Sequence, residues 1–417
     1  MSISILNSYL SGIAALVFAA VWVATGTTPT APEQPDNLLD LTRADSVRVS
    51  LFSFQPPDTV RLASGETEWI LWRDDNTLTV SEDTLSTTLY YREQSLTAQF
   101  GNETYRADSV SIRSKGSVRV ITDEFGYRYY RGKVMIKPNQ NRNVLDIVNT
   151  TDLESYVASV VGSEMDFHEP NALKAQAVVS RTYALWSLKK SPYPDFDLRD
   201  HEASQVYIGE IQDKPRYRQA ADSTTGEILT WSDHLILAVF SSTCGGATSS
   251  NRDVWSGKKH PYLQPQQDAE ACSLSPHFNW SYTLKKDEFK KMVLERYGFR
   301  YHSAKIRKTS GLRVDSIALK NSSGNTLQFS GNEFRLFINR HTNPLAIRST
   351  KFEWDDVGDE IIIEGRGLGH AVGMCQWGAR GLANAGWDYK DILTFYFSGT
   401  KVVPLSQFET NQIALYN

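Results

Sequence analysis

The sequence has few cysteines and no strongly charged segment, and these two features limit the disulfides and the binding partners that the protein can have. Its 417 residues include 3 cysteines, an odd number, so one must stay outside any internal disulfide. The net charge is −4, acids and bases are well mixed, and no basic run carries interleaved aromatic residues. Nucleic acid is therefore not an expected partner. No internal repeat or low-complexity block occurs. At 41% hydrophobic residues, the chain can bury a sizeable core in one large or two ordinary domains.

The single long apolar segment, Ile3 to Ala24, lacks the usual marks of a cleaved signal peptide. No Lys or Arg precedes it, no clear A-x-A cleavage site follows it, and no cysteine near its end would make a lipoprotein. We therefore expect residues 1–28 to form an N-terminal membrane anchor rather than a cleaved signal segment. Residues 29–45 read as a flexible tether, since Thr25 to Asp40 has no apolar period. Either way the remainder of the chain is expected to be exported.

The hydrophobic pattern of the rest predicts an α+β fold. Short alternating runs from Ser46 to about Asn149 indicate a mostly antiparallel, β-rich part over 46–149. Two helices are predicted next, Asp152 to Met165 and Asn171 to Lys189, with Pro170 suited to a first-turn position. They open a core over 150–400 in which strands and helices alternate, followed by a C-terminal tail over 401–417.

Local signals within that core predict several further elements. "HLILAVFSS" indicates one strand, and an amphipathic helix should end at Gly298. A hairpin is expected around Ser322 to Asn325. A helix is predicted from about Val372 to Ala385, and Asp388 should cap the last one.

The first predicted helix ends its apolar face on a carboxylate. Glu164 follows at helical spacing on a stripe made by Leu153, Val157, Val160 and Val161. An inward glutamate loses solvation, and near a helix C-terminus the dipole disfavours its charge. Both effects raise its pKa, as a general acid near neutral pH requires. The alternative is a glutamate that reaches water or pairs with Arg181 or Lys174.

Four sequence motifs occur together and in order. They are "YVASVVGSEM…ALKAQAVVSRTYAL", "SQVYIGE", "SSTCGGATSSNRDVWSG…PYL" and "GRGLGHAVGMCQWGARGLANAGWDYKDILTFYFSGT". Together they resemble the SpoIID/LytB family from about Ser46 to Thr400. The resemblance implies a SpoIID-like fold, in which an antiparallel β-rich region packs with a helical catalytic core.

The resemblance also implies a function. The family's best-understood members are lytic transglycosylases of peptidoglycan, and their catalytic acid corresponds to Glu164 here. Such an enzyme cleaves between MurNAc and GlcNAc with one carboxyl group and needs no cofactor. The expected partners are peptidoglycan glycan strands and the membrane. Some relatives are known mainly as amidase enhancers, so a non-catalytic peptidoglycan-binding protein that enhances a cell-wall amidase is the alternative.

The same motifs supply candidate substrate contacts. His201, Gln205 and Tyr207 lie in the "DHEASQVYIGE" stretch, where some relatives bind zinc. No cysteine is nearby, so we predict no metal there and expect a polar lining of the glycan groove, with exposed loop residues as the alternative. Three further candidate contacts lie in the later motifs: Ser242, His370 and Gln376. Arg181 is expected to brace the two helices.

The cysteines carry a separate expectation. In an oxidising milieu we expect a disulfide between Cys244 and Cys272, with Cys375 free inside its helix. A metal site joining the cysteines to His260 or His277 is the alternative. A cysteine hydrolase using Cys375 and His370 is also conceivable from sequence, because nucleophile and base need only spatial contact.

The N-terminal segment gives the first testable prediction. About 20 apolar residues suffice to span a bilayer, so Ile3 to Ala24 should stay attached and hold the protein on the outer face of the cytoplasmic membrane. Mass spectrometry of the mature N-terminus tests this. A mature chain that starts between Thr25 and Pro35 would show cleavage instead.

Overall fold

The structure is a computed structural model that describes residues 45–73, 76–255 and 257–408. The predicted anchor, Ile3 to Ala24, and most of the tether lie outside these residues. No helix in the described ranges is long and apolar enough to cross a membrane. The described chain forms two compact units. The N-terminal unit comprises 45–229, 233–237 and 403–408, and the C-terminal unit comprises 230–232 and 238–402.

A nine-stranded sheet dominates the N-terminal unit. Its strands are β1 (Ser46–Leu51), β2 (Thr59–Arg73), β3 (Asn76–Arg92), β4 (Ser95–Phe100), β5 (Glu103–Ala107), β6 (Ser109–Thr122), β7 (Gly126–Asn139), β8 (Val144–Asp152) and β9 (Leu198–Arg199). Their order is β5-β4-β3-β2-β6-β7-β8-β1-β9. Neighbours are antiparallel except β1 and β9, which run parallel. Alternate residues of β1, Val47, Val49 and Leu51, are buried, as the period of two in the sequence predicts.

Three helices belong to the same unit. They are α1 (Leu153–Glu164), α2 (Pro170–Lys190) and α3 (Pro215–Asp222). Asp152 caps α1 by accepting a hydrogen bond from the Ser155 N–H, and Pro170 occupies the first turn of α2. Both predicted helices are thus confirmed to within one residue at each end.

Close packing fixes where α1 lies. A Cβ at Gly162 would come within 2.4 Å of side-chain atoms of both Ile211 and Tyr217, so glycine allows α1 to approach α3. On the other side, Arg181 of α2 is fully buried and holds Glu154 of α1 with two hydrogen bonds of 2.8 and 2.5 Å. Arg181 therefore braces the helices, as expected.

The C-terminal unit is built from short elements. They are β12 (Phe240–Ser241), a 3-10 helix (Asn251–Asp253), α4 (Ala269–Cys272), β13 (Asn279–Lys285), α5 (Lys286–Tyr297), β14 (Ser303–Lys308), β15 (Val314–Lys320), β16 (Thr326–Ser330), α6 (Gly331–His341), β17 (Phe352–Val357), β18 (Glu360–Arg366), β19 (Met374–Cys375), α7 (Gln376–Asn384) and α8 (Tyr389–Tyr396). Its sheets have the orders β13-β18-β17, β14-β15-β16 and β12-β19. A separate sheet joins β10 (Glu227–Trp231), β11 (His234–Leu235) and β20 (Lys401–Pro404) in the order β11-β10-β20.

Most local predictions in this region are confirmed. Gly298 ends α5 with a left-handed φ of 64°, β15 and β16 form the hairpin, and Asp388 caps α8. With 26% helix and 39% strand, the α+β class is confirmed as well.

Two predictions about element bounds are wrong. "HLILAVFSS" forms two short strands, β11 and β12, rather than one. The helix expected from Val372 begins only at Gln376, because Ala371 and Gly373 have φ of 57° and 72°, which an α-helix cannot contain. Cys375 therefore precedes the helix and caps it, accepting a hydrogen bond from the Gly378 N–H.

The Arg181–Glu154 pair can be tested by substitution. Replacing Arg181 with methionine should lower the free energy of unfolding by about 3–5 kcal/mol, because the largely buried Glu154 would lose its ion-pair partner. The matched control is Arg218→Met, which breaks an exposed pair with Asp222 on α3. The control should change the free energy by about 1 kcal/mol or less. Urea unfolding followed by tryptophan fluorescence measures both, and equal losses would contradict the assignment.

Candidate functional site

The predicted catalytic glutamate is the last residue of α1. Glu164 is half-buried, and its Oε1 accepts a hydrogen bond of 2.7 Å from the backbone N–H of Val206. The expected apolar stripe is present beneath it, because Val157, Val160 and Val161 are fully buried. Arg181 does not pair with it, since that guanidinium is committed to Glu154. Glu164 is thus an inward carboxyl held by a backbone donor.

The donor comes from a segment that we call the site loop, residues 200–210. Asp200 begins it, and its carboxylate accepts hydrogen bonds from the N–H groups of Phe52 and Ser53. Just before it, Asp197 forms a bidentate ion pair with Arg48 of β1, with distances of 3.1 and 2.7 Å. The start of the site loop is therefore fixed to the large sheet.

The end of the site loop is fixed to the same sheet. Gly209 has φ of 84°, and a Cβ there would lie 2.1 Å from the Tyr129 carbonyl oxygen on β7. The next residue, Glu210, donates its N–H to that oxygen at 2.6 Å and receives Arg131 at its carboxylate. With both ends anchored, Val206 is positioned against the end of α1.

Burial sets the protonation state of the candidate acid. It raises the pKa of the Glu164 carboxyl to about 7, with a smaller upward contribution from the charge of Glu202. The hydrogen bond from Val206 acts in the opposite direction, because it stabilises the carboxylate. A carboxyl with this pKa can both donate and accept a proton near neutral pH.

The structure places the site-loop candidates at different depths. His201 is half-buried, and its Nδ1 accepts the Ala203 N–H at 3.2 Å. Gln205 is 1% exposed, and its Oε1 accepts the hydroxyl of Tyr156. Within the described residues, neither His201 Nε2 nor Gln205 Nε2 has a hydrogen-bond partner.

Tyr207 has a structural role that sequence did not predict. It is 2% exposed and stacks on Tyr156 with ring centroids 5.2 Å apart. Its hydroxyl donates to Asn149 Oδ1 at 2.5 Å. Burial on this scale leaves no open face for stacking on sugar, so Tyr207 supports the site loop from below.

The other three candidates belong to the C-terminal unit. Ser242 is half-buried, and its carbonyl accepts the Trp377 N–H. His370 is half-buried with its ring 4.9 Å from Trp255. Gln376, the first residue of α7, is 5% exposed. Substrate contact stays a prediction for all three.

The predicted disulfide is not formed in this structure. Cys244 and Cys272 are both buried with free thiols, and their sulfurs lie 3.6 Å apart, compared with about 2.05 Å in a disulfide. Cys375, which was expected to stand apart, lies in the same cluster, and the carboxylate of Asp268 completes it. Neither His260 nor His277 is a member of this group.

A cysteine hydrolase does not fit the surroundings of Cys375. Its sulfur is fully buried and accepts N–H groups from Cys244 and Gly378. His370 Nδ1 instead accepts the N–H of Val372. The thiol lies beside the other cysteines and donates to the Ser242 carbonyl at 3.7 Å, not to a base.

Two features of the site were invisible in the sequence. The Val206 N–H is a backbone group 42 residues from Glu164 and carries no side-chain signal. Glu202 gave no motif of its own, although "DHEAS" drew attention to its neighbours.

Comparison with known proteins agrees with these observations. The SpoIID family model, described as stage II sporulation protein, matches residues 141–231, which include α1, α2 and the site loop. An uncharacterized protein of Brachyspira hyodysenteriae is 32% identical over 305 residues, covering 72% of this chain and 79% of the relative. Stage II sporulation protein D of Bacillus subtilis is 30% identical over 285 residues, covering 64% and 79%.

A further relative is more distant. The amidase enhancer of Bacillus subtilis is 27% identical over 279 residues, covering 55% of this chain and 37% of that protein. Because the chain is similar to both types of relative, it belongs to the SpoIID/LytB family.

The raised pKa of Glu164 predicts a pH-dependent effect on stability. The pKa of about 7 in the folded state lies above that of an unfolded glutamate, so the protonated carboxyl stabilises the folded wild type at low pH. This stabilisation is lost as the pH rises through about 7 and the proton leaves. Glu164→Gln has no such proton. The thermal midpoint of Glu164→Gln minus that of wild type should therefore be larger at about pH 8 than at about pH 5. The same difference at both pH values would contradict the raised pKa.

Proposed function

We propose that this protein is a peptidoglycan lytic transglycosylase that cleaves glycan strands between MurNAc and GlcNAc. One observation supports the proposal above the others: Glu164 is a half-buried carboxyl with a pKa of about 7, held at the end of α1 by the Val206 N–H. This combination suits a group that gives a proton first and takes one afterwards.

In the first step, protonated Glu164 donates to the oxygen of the scissile glycosidic bond. That bond breaks as an oxocarbenium-like transition state develops on MurNAc, and GlcNAc leaves with the proton. Glu164 becomes a carboxylate, which the Val206 N–H stabilises at 2.7 Å.

In the second step, the carboxylate takes the proton of the C6 hydroxyl of the same MurNAc. The C6 oxygen then bonds to the anomeric carbon and closes the 1,6-anhydro ring, so no water is consumed. The glutamate is protonated again at the end. One residue serves both steps, which departs from the two-carboxylate scheme of most glycosidases.

The site loop offers one further group for substrate. His201 Nε2 and Gln205 Nε2 have no hydrogen-bond partner among the described residues, and a polar group so buried normally has one. We assign the free nitrogen of the half-buried His201 to a hydroxyl or acetamido group of the glycan, whereas Gln205, at 1% exposure, is as closed to sugar as Tyr207. Membership of a family associated with cell-wall hydrolysis agrees with this substrate.

The proposal also includes the place of action. A cell-wall substrate requires export, so we propose that the protein works in the cell envelope, held at the cytoplasmic membrane by its N-terminal segment.

A second function is favoured by one relative. Because the chain is similar to a protein named amidase enhancer, it could bind glycan strands and enhance a cell-wall amidase without cutting them itself. This alternative needs no proton transfer by Glu164.

The substitution Glu164→Gln separates the two functions. Glutamine keeps the shape and accepts the Val206 N–H, but it cannot exchange the proton. Release of anhydro-MurNAc products from purified peptidoglycan should therefore fall by about 10²–10⁴-fold, with sedimentation binding nearly unchanged. The matched control is Glu169→Gln, at the N-cap of α2, which should keep wild-type turnover.

The products decide between the outcomes. Equal release of anhydro-MurNAc by wild type and Glu164→Gln would refute the catalytic role. Binding without cleavage by either protein, together with faster peptide release by an added amidase, would establish the enhancer function instead.

A further inference from the structure

Three cysteines and one aspartate converge in the interior of the C-terminal unit, and the proposed reaction uses none of them. Cys244, Asp268, Cys272 and Cys375 are all buried, and their ligand atoms lie within 4.8 Å of one another. We call these four residues the thiol cluster.

The local fold brings the cluster together from three chain segments. Asp268 and Cys272 stand four residues apart at the two ends of α4, so they share one face of a helical turn. Cys375 caps α7, and a Cβ at Gly381 of α7 would lie 2.0 Å from the Ala271 carbonyl oxygen. The absence of that Cβ lets α4 and α7 pack closely enough to join their ligands.

The spacing fits a tetrahedral metal ion. Bonds of about 2.3 Å to sulfur require sulfur atoms about 3.8 Å apart, and the observed distance between Cys244 and Cys272 is 3.6 Å. All four ligand atoms lie within 4.8 Å of one another, so no separation exceeds that edge by more than about 1 Å. Small side-chain rotations are therefore sufficient to close the site.

The surrounding hydrogen bonds match those around metal-bound ligands. Cys375 Sγ accepts two backbone N–H groups, from Cys244 and Gly378, both at 3.3 Å. Asp268 Oδ2 accepts the buried hydroxyl of Tyr396 at 2.8 Å. Gly378 leaves room for this bond, because a Cβ there would meet the Tyr396 hydroxyl at 2.0 Å. Such outer contacts orient ligands and stabilise their charge.

Charge provides an independent reason for a cation. Asp268 is 4% exposed, and its carboxylate accepts the Cys244 thiol at 2.5 Å and the Tyr396 hydroxyl at 2.8 Å, but in the described part of the chain no Lys, Arg or His forms an ion pair with it. A buried carboxylate without a cation is costly. A disulfide between Cys244 and Cys272 would remove the thiol proton that Asp268 accepts and would leave Cys375 unbonded, whereas a metal ion engages all four groups.

Two cations are placed to offset the remaining charge. Three thiolates and one carboxylate around a divalent ion leave a net charge of 2−. Arg313, which is 1% exposed, donates to the Cys244 carbonyl at 3.4 Å, and Lys351 donates to the Gly245 carbonyl at 3.0 Å. Both side chains contact the loop that carries Cys244.

We propose that Cys244, Asp268, Cys272 and Cys375 bind one Zn²⁺ ion in a closed structural site. With four protein ligands and no open position, the ion would hold α4, α7 and the Cys244 loop together rather than take part in catalysis. Binding displaces the thiol protons to solvent and involves no oxidation or reduction.

The test starts from the full chain, purified without chelator or reductant. Metal analysis should find about one zinc per chain, and the three cysteines should resist alkylation until denaturant and chelator are added together. Replacement by Co²⁺ should give a thiolate charge-transfer band and intense visible bands of a tetrahedral site.

Variants connect the metal to the named residues. Cys272→Ser and Asp268→Asn should lower the zinc content, while Glu270→Gln, an exposed carboxylate two residues after Asp268, should not. Tyr396→Phe keeps the packing but removes the hydroxyl from Asp268. It should weaken zinc affinity by about 10–100-fold with an unchanged circular dichroism spectrum, so the test does not depend on variants that fail to fold.

Two outcomes would overturn the proposal. One is a chain without zinc in which a single cysteine is alkylated before reduction and three after it, which would establish the disulfide. The other is a chain with three reactive thiols that acquires neither Zn²⁺ nor the Co²⁺ spectrum when these ions are supplied.

Discussion

The buried ion pair between Arg181 and Glu154 is the contact on which the N-terminal unit depends. Arg181 also donates to the carbonyls of Ala221 and Glu227, while Glu154 accepts the Gly226 N–H. One guanidinium thus ties α1, α2 and the segment after α3 to each other. Because α1 is fixed at its first turn, its last residue, Glu164, has a defined position. The cost of burying a charge in this fold is met by fixed partners on every side.

Glu164 differs from Glu154 in the kind of partner it has. Glu154 is paired with the guanidinium of Arg181, whereas the carboxyl of Glu164 accepts a neutral backbone N–H. Two glutamates on one helix therefore have different surroundings. This difference places the exchangeable proton at the end of α1 that meets the site loop. It follows from packing, because the two side chains are chemically identical.

The sequence was informative where a side-chain period or a motif carried the signal. It located α1 and placed Glu164 on its inward face, and the family motifs identified the site loop. The sequence was uninformative where a contact depends on backbone groups far away along the chain. The Val206 contact depends on anchors on β1 and β7, and the thiol cluster joins cysteines up to 131 residues apart. From sequence we expected Cys244 to pair with Cys272. The spacing along the chain does not reveal that Cys375 and Asp268 lie at the same point.

Strand β1 is the first element of the described chain, yet both of its neighbours, β8 and β9, are synthesised much later. Arg48 and Asp197, which join β1 to the start of the site loop, are 149 residues apart in sequence. Contacts of such long range form slowly during folding. The growing chain therefore carries Glu164 before it carries the site loop, because Val206 is synthesised 42 residues later. Until the site loop has closed against the sheet, Glu164 is an ordinary exposed carboxyl, so its raised pKa belongs only to the finished fold.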